Sequence, residues 1–151
     1  MDIIAHYGGV DRMKLLPVKR EHICHVWDRV EPQVTSALDL GMMTDTPEFD
    51  AEYVHKKLLE GVWELLVAID DRGDIHGSAV LSYTDYPSAR VAHVVSMAGR
   101  HICTPELLIQ FKNILTSSEV TRIQGYDRPS MVRLLKRLGF YPRYTLMELV
   151  L

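Results

Sequence analysis

Apolar and polar positions along this chain follow two rhythms, one helical and one alternating. The short run 12–18 (RMKLLPV) is apolar but contains Pro17, which places it at the edge of a sheet. Over 19–40, apolar residues at 23, 26, 27, 30 and 34 recur at helical spacing, and Pro32 predicts a break or kink that divides this helix in two. The turn-forming stretch 41–50 predicts a loop. A second helix follows over 51–61, with acids in its first turn and Gly61 at its end.

Three β-rich runs come next, 62–70, 75–85 and 90–98, joined by the short turns DRGD and YPSA, which is the pattern of an antiparallel meander. Thr104-Pro105-Glu106 then opens a helix running through Ser118: a capping hydroxyl, a proline at the first helical position, and an acid behind it. The run 120–127 is a strand reached from its neighbour through a helix, so the two should be parallel. RPSMVRLLKRLGF (128–140) is a helix with Pro129 near its start and Gly139 past its end, and YTLMELVL (144–151) is a closing strand. The order β-α-α-β-β-β-α-β-α-β describes an α/β (α+β) fold: a mixed, mostly antiparallel twisted sheet with helices on both faces. Residues 1–11 read as an N-terminal tail and 12–151 as a single domain.

Composition narrows the picture. A chain of 151 residues, 47% hydrophobic and 25% charged, suits one domain with its own core. A net charge of -3 gives no general affinity for nucleic acid or an acidic membrane. No stretch approaches the roughly 20 apolar residues of a membrane helix, and MDIIAHYGGV is a poor signal peptide. Cys24 and Cys103 match no zinc or redox spacing, so buried, reduced thiols and a cytoplasmic location are expected. His22, Cys24 and His25 lie within about one helical turn but lack a third ligand, so no metal is expected.

The element order and the ending LLKRLGF before a last strand resemble the GNAT superfamily, the GCN5-related N-acetyltransferases, over roughly 12–151. Within it, ELLVAI, YPSARV, MAGR and YDRPSMVRLLKRLGF are most similar to a subgroup from tailed bacteriophages that includes acetyltransferases and internal virion proteins. The resemblance implies a GNAT-like fold, an acetyl-CoA site along the strand 90–98 and the helix after it, and residence in a host cell's cytoplasm or in a virion. The implied coenzyme contacts are Val95, Met97, Gly99, Arg100, His101 and Thr104, with the strand backbone of Val94 to Met97 holding the coenzyme.

Such chemistry requires a phosphate cradle, a base for the amine and an acid for the thiolate. MAGRHICTPELL has one glycine where the family's loop has two, Ile102 and Cys103 add side chains, and Pro105 removes an N–H donor. Arg100 and His101 at a helix start still favour an anion. The family's usual acid, a tyrosine four residues before the glycine of the terminal GF, is replaced by Leu135; Tyr126, Tyr141 and Tyr144 are the substitutes in reach. His93 and Glu64 are the candidate bases, His93 having an ordinary pKa of about 6.5.

The degraded cradle and absent tyrosine favour a phage-type, non-catalytic, virion-associated or partner-binding module that needs no cofactor. The alternative is a divergent acetyl-CoA-dependent N-acetyltransferase. A third reading is a modulator of host proteins or nucleic acid acting through Arg133, Lys136 and Arg137 on the terminal helix. An open gap between 90–98 and 120–127 would mark an enzyme, and a filled one a structural protein.

Overall fold

The computed structural model describes residues 13–41, 48–99 and 104–151. The tail 1–11 therefore lies outside the described residues. Strand β1 spans Lys14–Val18 and leads through a 3-10 turn, Arg20–His22, into helix α1, Ile23–Gly41. Helix α2 (Ala51–Leu59) precedes the meander β2 (Glu64–Ile69), β3 (Ile75–Tyr86) and β4 (Ala89–Gly99). Helix α3 (Pro105–Ser117), strand β5 (Arg122–Gly125) and helix α4 (Pro129–Arg137) complete the elements.

The sheet runs in chain order, β1-β2-β3-β4-β5, antiparallel throughout except for the parallel β4–β5 pair. Helices cover both faces. One core joins Leu66, Ala68, Ala79, Leu81 and Ala92 to Leu107, Phe111 and Leu115 of α3. The other joins Leu65, Val67 and Val80 to Ile23, Val30 and Val34 of α1 and Val54 and Leu58 of α2. Successive side chains along β2 thus feed opposite cores, the two-sided burial that an uninterrupted apolar strand such as ELLVAI encodes.

Three expectations change. Pro32 does not divide α1, which is one helix from Ile23 to Gly41. The fully buried Val30 and Val34 flank the proline, and packing of that apolar face outweighs the missing hydrogen bond. The last strand, 144–151, does not form: its residues pair with no strand and are all exposed, because alternation supplies side chains for a sheet but not a neighbour to bond with. Cys24 is exposed rather than buried, facing outward from the first turn of α1, while Cys103 lies outside the described residues. Among the described residues no helix is long and apolar enough to cross a membrane.

Candidate active site

Strands β4 and β5 pair only from Val91–Arg122 to Val94–Gly125. Beyond that point β4 continues to Gly99, while β5 ends at Gly125 and the chain turns into α4. The register of β4 against β3 shifts between Val80 and Leu81, so that Ser96 opposes Val80, Val94 opposes Leu81, and Val95 is the extra residue. Such a bulge bends a strand and strengthens its twist, which helps β4 part from β5.

The divergence leaves an open wedge of about 340 Å3. Its walls come from β4 (Val94 to Gly99), from Gly125 to Arg128 after β5, and from the half-buried apolar face of α4, including Met131 and Leu135. Leu107 and Leu108, in the first turn of α3, close one end. The wedge is mostly apolar, with polar groups gathered along one rim, the usual make-up of a small-molecule site. Ser96 is the exception within: it belongs to the wall, and its Oγ is buried with no hydrogen-bond partner among the described residues.

Tyr126 lines the wedge, and beside it the His93 ring, which is not itself part of the lining, meets the Tyr126 ring edge-on, with centroids 4.9 Å apart. Burial holds the His93 pKa below its ordinary value, and the nearby Asp127 carboxylate opposes that shift. Burial likewise raises the Asp127 pKa, with His93 acting against it. An imidazole held toward its neutral form, a phenol and a carboxyl group therefore lie together beside the wedge, side chains of the kind that exchange protons.

Among the other candidates, Val95, Met97 and Gly99 line the wedge. Thr104 caps α3, its hydroxyl oxygen accepting from the Leu107 N–H at 3.2 Å. Arg100 and His101 lie outside the described residues. Tyr141 and Tyr144 are not brought to the wedge; they are 72% and 80% exposed on the C-terminal segment. Glu64 sits on β2 with its carboxylate accepting a short hydrogen bond from the Tyr83 hydroxyl, so it is engaged away from the wedge. Leu135, where the resemblance called for a tyrosine, lines the wedge with no proton to give. Sequence reading passed over Ser96 and Asp127; the YDRP run that follows β5 was the available signal for the latter. Among the described residues no group of three or more His, Cys, Asp or Glu side chains is placed to hold a metal.

No family model and no curated protein matches the sequence. Solved structures do match. An aminoglycoside acetyltransferase, meta-AAC0020, from an uncultured soil metagenomic sample and in complex with sisomicin, superimposes with a TM-score of 0.65 at 11% identity, over 93% of this chain and 97% of its own. A predicted acetyltransferase with acetyl-CoA from Clostridium acetobutylicum gives 0.61 at 16% identity, over 91% and 96%. An acetyltransferase of Trypanosoma brucei gives 0.56 at 15%, over 92% and 99%. Identity this low speaks to architecture alone, and over nearly its whole length the chain has the fold of the GNAT acetyltransferases.

Proposed function

We propose that the wedge between β4 and β5 binds the acyl-pantetheine arm of an acyl-coenzyme A, and that the chain is a divergent acyl-CoA-dependent N-acyltransferase. The observation that carries this reading is the open wedge itself. A purely structural use of the fold gives no reason to keep β4 and β5 apart, and here no side chain fills the space between them.

The residues fit such a ligand in part. The apolar walls suit a pantetheine arm, and the first turn of α3 at one end of the wedge adds the partial positive charge of a helix start. Bound there, acyl-CoA supplies a thioester carbonyl for attack and a thiolate as leaving group. His93, kept neutral by burial, accepts the proton of an incoming amine. Tyr126, beside His93 and 70% exposed at the rim, is the nearest hydroxyl able to return a proton in place of Leu135. The amine's identity is set by what approaches this rim.

Calorimetric titration with acetyl-CoA tests the reading. Micromolar binding that is lost in Met131→Trp, which fills the wedge from α4, supports it. Thiol release with an amine panel, abolished in His93→Ala, extends it to catalysis. Silence up to millimolar coenzyme ends it.

A second reading, a non-catalytic module docking on virion or host proteins, draws on two observations: Leu135 where a proton donor is wanted, and the uncovered apolar segment 144–151. No binding of acetyl-CoA and no transfer to any amine, with capture of a protein partner lost on charge substitution in 144–151, would favour this module.

A further inference from the structure

Leu115 is the last fully buried residue among those described, and after Val120 and Ile123, which pack against the α3 core, the chain adds little to either core. Helix α4 closes on its C-terminal side with the Phe140 N–H donating to the Leu135 carbonyl. The chain then leaves through Tyr141-Pro142-Arg143, and the Arg143 guanidinium lies 5.1 Å over the Tyr144 ring. Beyond it run Leu146, Met147, Leu149 and Val150, between 65% and 84% exposed. Monomeric proteins rarely leave so continuous an apolar strand in water.

The same chain carries an unfilled place for a strand. β5 ends the sheet, and its outer edge pairs with no strand among the described residues. We propose that the 144–151 segment of one copy adds to the outer edge of β5 in a second copy, and that the second copy reciprocates, giving a strand-exchanged dimer.

The occupant is a second copy because the apolar segment and the open β5 edge lie on the same chain, each lacking a strand partner among the described residues. Two copies related by a two-fold axis satisfy both and leave neither free, which is the closed arrangement of isologous dimers. After Tyr141-Pro142-Arg143 the segment pairs with no strand of its own sheet and is exposed throughout, and a short proline-bearing hinge restricts its folding back. Charge agrees: the segment's one ionisable acid, Glu148, would approach an edge that begins at the exposed Arg122. Exchanging this strand in both directions, together with the half-covered face of α4, buries an area on the order of the 1,600 Å2 typical of stable interfaces. Because β5 leads directly into the Gly125–Arg128 rim, exchange would also brace one wall of the wedge. The dimer does not depend on coenzyme binding.

Light scattering and sedimentation of the full chain at micromolar concentration give the test. The expected mass is twice 17.3 kDa. Met147→Lys/Leu149→Lys alters side chains that enter neither core of a single copy, so its circular dichroism should match the parent. Its self-association should weaken by about 100-fold or more, a loss expected when two buried apolar anchors become charged. A parent that stays at 17.3 kDa across the range overturns the proposal. Amide protection of 144–151 in that monomer would assign the segment to its own β5 edge instead. A dimer that survives the double substitution overturns it as well, since another surface must then hold it.

Discussion

Gly99 lies directly across from Gly77 on β3, with its backbone at φ +110. A Cβ at Gly99 would overlap the His76 carbonyl oxygen and the Gly77 Cα. The glycine of MAGR is thus required by the close approach of two strands, whatever the loop behind it does. Gly99→Ala combines an unfavourable φ with a backbone clash, and should cost about 2–4 kcal/mol. Urea denaturation measures this directly; a loss under ~0.5 kcal/mol would mean that β3 and β4 can part there at little cost.

His93 should titrate below 6.5 in the folded protein, because burial disfavours its charged form. Between its folded and unfolded pKa values the unfolded chain binds more protons. Stability from this group is therefore complete above the unfolded value and declines as pH falls from there through the folded pKa. Replacing Asp127 by Asn removes the carboxylate that supports the imidazolium, and should lower the His93 midpoint further. NMR titration of the imidazole reads both; a midpoint at or above 6.5 in the parent contradicts the burial of this ring.

Gln110 of α3 clamps the edge strand. Its Oε1 accepts from the Leu15 N–H at 2.8 Å, and its Nε2 donates to the Met13 carbonyl at 3.0 Å. Gln110→Leu keeps the bulk and strands both backbone groups, for an expected cost of about 2 kcal/mol. Hydrogen exchange should show the Leu15 amide losing protection first. Unchanged exchange would show that β1 holds its place through pairing with β2 alone.

Tyr83 has its pKa raised by burial and then by its hydrogen bond to Glu64, while Arg90 stacks 5.0 Å over its ring. Glu64→Gln removes the carboxylate and should bring the alkaline absorbance transition of Tyr83 to lower pH. Tyr83→Phe leaves the carboxylate without its donor and should destabilise by about 1–2 kcal/mol. Equal alkaline transitions in parent and Glu64→Gln would leave burial as the sole cause.

Much of the fold was legible because local signals and long-range packing agree here. ELLVAI is apolar on both faces and feeds two cores. Thr104-Pro105-Glu106 caps a helix through the Thr104 hydroxyl, and the short turns after Ile69 and Tyr86 permit only antiparallel neighbours. Pro32 and 144–151 misled for opposite reasons. At Pro32 the burial of Val30 and Val34 outweighs a local penalty, whereas 144–151 has the pattern of a strand and no partner within its own chain.

The sequence by itself determined the order of the elements as far as the terminal helix, the parallel step at β5 and the leucine at position 135. All three depend on residue identity and short-range spacing. Only the tertiary structure decided where β4 and β5 part, because the bulge at Val95 and the departure of the chain at Gly125 lie far apart in sequence and meet only in the folded sheet. The same meeting sets His93 against Tyr126 and Asp127, and it left Tyr141 and Tyr144 outside the wedge. Proximity along a chain does not fix proximity in space, and it is the latter that groups side chains into a site.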